Sequence, residues 1–263
     1  PPDEDREAAG ARFRPAERLS RRSFASLDRR EVRAVDREMD RLLLKLATRR
    51  GRRHRPARRG GRPDLRRSFR WALAHHGELL RLARRARRVE RPRVVLLCDV
   101  SGSMERYSRF LVRFLLSAGR GRDVETFVFG TRLTRLTRRM SRSSVDEALG
   151  ALSQDVPDWS GGTRIGRCLR TFLDEHGRSL LGRRTVVVIL SDGLDRGDVE
   201  VLEHAMRGIA RRSRRVIWLN PLAGSPDYAP EARGMKAALP FVDELAPGHS
   251  LAALRELVEL IRL

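Results

Sequence analysis

The chain has 263 residues, of which 40% are hydrophobic and 34% charged; that is enough for one sizeable α/β domain with an extension. Its 56 basic residues outnumber 34 acidic ones, for a net charge of +22, and all but Lys45 and Lys236 are arginines. No apolar run approaches the ~20 residues of a membrane-spanning helix, and the two cysteines, Cys98 and Cys168, make neither a disulfide framework nor a zinc cluster. The opening PPDEDREAAG has no basic stretch leading into an apolar one, so no secretory signal is expected. It begins at Pro1 rather than Met, which leaves the native start open. The expected setting is cytoplasmic, with both thiols reduced and buried.

Charge divides the chain. Residues 49–93 carry 18 arginines against 3 acidic residues, whereas 94–263 is nearly balanced, with 26 basic and 21 acidic. Residues 1–24 are expected to be disordered, 25–92 to form a basic and mainly helical extension, and 93–263 the principal domain. Within the extension, Val32, Val35, Met39, Leu42, Leu43 and Leu46 recur at helical spacing and predict a helix over 27–50. GRRHRPARRGGRP, 51–63, has no periodicity and predicts a loop. Asp64 caps a predicted helix reaching about His75, with Leu65, Phe69 and Leu73 on one face and Gly77 ending it. Residues 79–88 fit a strand or a basic helix.

From residue 93 the pattern changes. RVVLLCD, 93–99, is a short apolar run ending in a polar turn, which predicts a buried parallel strand. A helix over 104–118 follows. VETFVFG, 124–130, and RLTRLT, 132–137, predict a hairpin with an antiparallel edge strand. Helices are predicted over 143–153, 164–176 and 198–212. TVVVILSD, 185–192, RVIWLN, 215–220, and FVDEL, 241–245, predict strands, and 250–263 predicts a closing helix with Leu251, Leu254, Leu257, Leu260 and Ile261 inward. Strands alternating with helices imply an α/β doubly wound, Rossmann-like domain. Its six-stranded sheet is mostly parallel with one antiparallel edge strand.

Ligands of such sheets bind at the carboxyl ends of the strands. Three polar groups fall there: Asp99-Val100-Ser101-Gly102-Ser103, Gly161-Gly162-Thr163 and Ser191-Asp192-Gly193. Asp99, Ser101, Ser103, Thr163 and Asp192 make an all-oxygen set, which suits Mg²⁺ and, as a substitute, Mn²⁺. Zinc and copper would want histidine or cysteine. The alternative reading is helix capping by Ser103 and Thr163. There is no Gly-x-Ser-x-Gly elbow and no phosphate-binding Gly-Lys-Ser/Thr loop, so catalysis by Ser101 or an ATPase activity is not expected.

These residues resemble the metal-ion-dependent adhesion site (MIDAS) of von Willebrand factor A (VWA) domains. DWSGGTRIG, SDGLDRGD, VIWLNPL and GMKAALPFVD further resemble the CoxE-like family of such domains, over roughly residues 25–263. The resemblance implies binding rather than catalysis. Ser101, Ser103 and Thr163 would touch the ion, while Asp99 and Asp192 would act mostly through waters or hydrogen bonds. A carboxylate from a partner protein would take the open metal position. It also implies partnership with a MoxR-type AAA+ ATPase in the maturation of, or metal insertion into, a metalloenzyme client such as carbon monoxide dehydrogenase. Arg164, Trp159, Asp195 and Arg196 flank the motifs as candidate partner contacts. Trp159 fits packing equally well, Asp195 fits helix capping, and Asp198 fits the cap of the next helix. The alternative function is an electrostatic nucleic-acid or anionic-surface binder using residues 49–93.

Overall fold

The computed structural model describes residues 20–27, 31, 34, 35, 38, 49–74, 82–90, 92–118, 123–136 and 163–262. In the basic part, strands β1 (Arg49–Ala57), β2 (Arg62–Pro63) and β3 (Arg84–Glu90) form an antiparallel sheet in the order β1-β3-β2. Helix α1 (Leu65–Leu73) lies between β2 and β3 in sequence. The loop expected over 51–63 is therefore corrected: most of it is strand. Its reversal rests on Gly60 and Gly61, at φ 70° and 81°. A Cβ on Gly61 would stand 2.5 Å from the Arg85 carbonyl oxygen, so only glycine fits there. The strand alternative for 79–88 holds over β3. The described part of the extension thus mixes a sheet with helix, and "mainly helical" does not describe 49–90.

Asp64 caps α1 as expected, accepting from the Arg67 amide at 3.2 Å. The helix ends at Leu73, two residues short of the expected end, and Gly77 lies outside the described residues. The face that packs inward is Ser68 and Ala72; Leu65, Phe69 and Leu73 face solvent. Ser68 ties α1 to the approach of β3, its hydroxyl accepting from the Ala83 amide at 2.9 Å.

The second sheet contains β4 (Arg93–Asp99), β5 (Val124–Phe129), β6 (Leu133–Leu136), β7 (Thr185–Leu190), β8 (Arg215–Asn220) and β9 (Glu244–Pro247), in the order β6-β5-β4-β7-β8-β9. All neighbours pair in parallel except β5 and β6, whose antiparallel hairpin is the expected edge. Side chains alternate between faces. Val94, Leu96 and Cys98 of β4 pack with helices α2 (Glu105–Ala118) and α7 (Leu251–Arg262). Val95 and Leu97 pack on the other face with α3 (Ile165–Glu175), α5 (Val199–Arg212) and α6 (Arg233–Ala238). The short α4 (Gly177–Leu180) follows α3 directly. A strand buried on both faces must be apolar throughout, which explains the unbroken runs of β4 and β7.

Three expectations shift. The last strand is Glu244–Pro247 rather than 241–245, because Leu239–Phe241 turns as a 3-10 helix around Pro240. Residues 20–24, placed in the disordered stretch, include the buried Ser20 and Phe24. Phe24 stacks on Phe110 at 4.6 Å, and its amide donates to the His249 carbonyl at 2.8 Å. The helix expected over 27–50 is helical at 31, 34, 35 and 38, with Val35 in the core, but Leu27 is not helical and Arg49 and Arg50 already belong to β1. The helix expected over 143–153 lies outside the described residues. Cys98 and Cys168 are free and buried, and burial pushes the Cys168 thiol up to about 12. Among the described residues no helix is long and apolar enough to cross a membrane.

Candidate functional site

The carboxyl ends of β4 and β7 stand side by side in the middle of the sheet, because those strands pair directly. Asp99 closes β4 and is fully buried. Its Oδ1 accepts from the Ser101 amide at 2.9 Å and faces the Thr163 hydroxyl at 3.5 Å, while Oδ2 accepts from the Ser191 hydroxyl at 2.7 Å. Ser101 Oγ and Ser103 Oγ are 3.2 Å apart. Asp192, also buried, accepts from the Leu194 amide at 3.0 Å. All five predicted oxygen-bearing residues thus lie on adjoining loops, and direct contacts link Asp99, Ser101, Ser103 and Thr163.

The turns that deliver these groups are locally determined. Gly193 sits at φ 81°, with Met235 3.0 Å from where its Cβ would be, so the chain can double back after Asp192 beneath α6. Asn220, at the end of β8, donates to the Asp192 carbonyl at 3.1 Å and to Tyr228 Oη at 2.8 Å. Trp218 Nε1 donates to the Ser191 carbonyl at 2.9 Å.

Helix capping does not account for the hydroxyls. Ser101 precedes the 3-10 turn Gly102–Met104 without a side-chain cap bond, and Ser103 lies inside that turn. Arg164, not Thr163, is the N-cap of α3, and its side chain makes no cap bond either. The cap comes from Asp195, which accepts from the Ile165 amide at 2.9 Å and the Gly166 amide at 3.4 Å. Asp195 therefore serves the N-terminus of α3 rather than its own following helix. Asp198 occupies the N-cap of α5 through its backbone, without a side-chain bond.

The cluster opens into a cleft of about 650 Å³ lined by Ser101, Ser103, Thr163, Leu194, Arg196 and Arg233, with Asp195 at its wall. The Arg196 amide donates to the Thr163 carbonyl at 2.9 Å, joining two of the loops. Arg164 is exposed at the head of α3 and does not line the cleft. Trp159, Gly161 and Gly162 lie outside the described residues. Ser191, Asn220 and Arg233 were not singled out as site residues. The first two sit where strand ends should be searched for polar side chains, whereas Arg233 has no local signal.

Electrostatics sets what this cluster can hold. Burial pushes the Asp99 carboxyl up to about 6, with the nearby Asp192 charge adding to it, against the hydrogen bonds from Ser101 and Ser191. A buried carboxylate beside a second one is costly unless a cation offsets it. Two carboxylates and three hydroxyls fit a hard divalent cation, and the hydroxyl lone pairs serve no cap. Among the described residues no group of three or more His, Cys, Asp or Glu could hold a metal, so any ion here depends on the hydroxyls.

The raised Asp99 carboxyl has a testable sign. With EDTA present, the folded chain holds a proton at Asp99 up to about pH 6, while the unfolded chain releases it near 3.8. Stability from this group is full below about pH 4 and falls as pH rises through 6, by on the order of 3 kcal/mol at 1.36 kcal/mol per unit. Urea unfolding at pH 4.5 and 7.5 should show about 2 kcal/mol of that loss in the wild type, since part of it has already occurred by pH 4.5, and a smaller one in Asp99→Asn. Parallel pH profiles would contradict it.

A profile of the family described as "VWA domain containing CoxE-like protein" matches residues 29–254. No curated protein matches the chain. Among solved structures it is similar to proximal thread matrix protein 1 from the mussel byssus, at 17% identity and TM-score 0.40, covering 64% of this chain and 46% of that one. It is similar to an aerotolerance-related membrane protein from Bacteroides fragilis, at 18% identity and TM-score 0.41, covering 64% and 96%. It is also similar to the human COPII-coat protein Sec24c, at 10% identity and TM-score 0.41, covering 64% and 32%. The chain thus spans less than half of the mussel protein and about a third of Sec24c.

Proposed function

The chain belongs to the CoxE-like family of VWA-domain proteins, and on that premise we propose that it is a non-enzymatic, Mg²⁺-dependent protein-binding adaptor. One observation carries this reading. The hydroxyls of Ser101, Ser103 and Thr163 gather beside two buried carboxylates and have no capping duty. Bound there, Mg²⁺ would supply an electrophilic centre for an anionic group. The residues of the chain do the rest. Ser101, Ser103, Thr163, Asp99 and Asp192 hold the ion, Ser191 orients Asp99, and Arg196 and Arg233 add positive charge at the mouth. A partner carboxylate fits that combination. Ser101 Oγ is hydrogen-bonded to Ser103 rather than to a base, which supports binding over nucleophilic chemistry.

The partners in this reading are a MoxR-type AAA+ ATPase and a metalloenzyme client whose maturation it assists, carbon monoxide dehydrogenase being the type of client meant. Affinity capture from native lysate tests it, with wild type and Asp99→Ala each in Mg²⁺ and in EDTA at moderate salt. An ATPase or metalloenzyme retained only by wild type in Mg²⁺ is the expected result. Nucleic acid captured equally in all four conditions, with no ATPase or metalloenzyme whose retention depends on Mg²⁺ and Asp99, would overturn it and point to the arginine-rich region.

A further inference from the structure

The basic sheet and α1 form a second concavity, of about 780 Å³, outside the cation cluster. Its apolar lining is Pro56, Ala57, Trp71, Leu82 and Ala83; its charged lining is Arg58, Arg59, Arg67 and Arg84, with no acidic residue among the described ones. Trp71 is 44% exposed and Leu82 43%, unusual for side chains of that size. The other flank of α1 presents Leu65, Phe69 and Leu73, at 59%, 62% and 80% exposure. These three follow one another at i, i+4 and i+8 and share a helix face. A nine-residue helix that buries only Ser68 and Ala72 shows far more apolar surface than its own fold requires.

The lining chemistry selects among occupants. Single-stranded nucleic acid needs a succession of aromatic faces on which bases stack; among the described residues of the lining Trp71 is the one aromatic side chain. A bilayer engages a protruding apolar face, whereas this site is concave. Tryptophan and arginine around a small apolar floor are the composition of protein interface centres. Guanidinium groups in a fixed fork match carboxylates. We propose that this groove is a second, cation-independent docking site for an acidic segment of a partner protein. The segment sets an apolar side chain on Trp71 and Leu82 and its carboxylates against Arg58, Arg59, Arg67 and Arg84.

The test places a photo-crosslinking amino acid at Leu82 of the full chain, expressed in the cells that make it. The expected adduct is a protein segment with more Asp and Glu than Lys and Arg. A synthetic peptide of that segment should bind the purified chain in EDTA. Arg58→Glu with Arg59→Glu, both on an exposed turn, should weaken that binding at least roughly tenfold without changing the melting temperature. Asp99→Ala should leave it intact, which separates this site from the cation cluster. Adducts only with nucleic acid, lipid, this chain itself or a neutral or basic segment would overturn the proposal. So would no adduct, or a peptide indifferent to the charge reversal.

Discussion

Asp99→Asn is expected to abolish the stabilisation that Mg²⁺ confers on the chain. At a free concentration about a hundred times the dissociation constant, a ligand that binds only the folded state adds about 2.7 kcal/mol. For a domain of this size that is a rise of roughly 5–10 °C in melting temperature. The asparagine preserves the shape of the side chain. Its carbonyl still accepts from the Ser101 amide, and the Ser191 hydroxyl can turn to accept from its amide group. What disappears is the buried charge. In EDTA at pH 7.5 the variant should therefore melt no lower than wild type, since burial already opposes ionisation there. Scanning calorimetry with and without MgCl₂ separates the two effects. A variant that melts far below wild type in EDTA would make Asp99 a structural hydrogen-bonding residue first. A variant that keeps the full Mg²⁺ response would remove it from the cation site.

Trp218→Ala should cost the most stability among the residues that support the site. Trp218 lies in β8 with no exposure and packs among Val187, Ile189 and the helices of its face. Truncating a buried aromatic costs about 3–5 kcal/mol, through lost transfer energy and the cavity left behind. Its indole also holds the Ser191 carbonyl, and the Ser191 hydroxyl in turn holds Asp99. Trp218→Phe separates the two roles: it keeps most of the volume and loses the 2.9 Å bond. We expect a loss of about 1 kcal/mol for the phenylalanine variant in denaturant unfolding. The alanine variant should also show a weaker Mg²⁺ response at temperatures where it remains folded. Equal losses in the two variants would contradict this division.

The strands that carry the site were legible because of where they lie. β4 and β7 are central and covered on both faces, so their sequences are unbroken apolar runs that end where the polar residues begin. The β5–β6 hairpin was marked by the tight turn after Gly130 and by the polar residues of RLTRLT at the edge, where Arg135 is exposed; Thr126–Phe129 of β5 is itself buried on both faces. Strand β1 was not legible, because arginine-rich RRGRRHRPA carries no alternation of apolar and polar residues. Only the pairing with β3 and the Gly60-Gly61 turn reveal it. Helix α6 is too short for its period to show. At the site, the five oxygen-bearing residues were readable as strand-end motifs. The support from Ser191, Asn220 and Trp218 was not, since it depends on which strands are neighbours. The same holds for Asp195: its sequence position suggests a rim or the next helix, yet its carboxylate reaches α3, thirty residues earlier.

Titration calorimetry of the EDTA-stripped chain with MgCl₂ at pH 7.5, beside Thr163→Ala, is the most direct check on the cation cluster. Thr163 is buried, caps nothing, and comes from a different loop than Asp99 or Asp192. The account predicts saturable binding of one ion per wild-type chain and none in the variant, with unchanged urea unfolding of the two in EDTA. No binding by the wild type, or equal binding by Thr163→Ala, would contradict it.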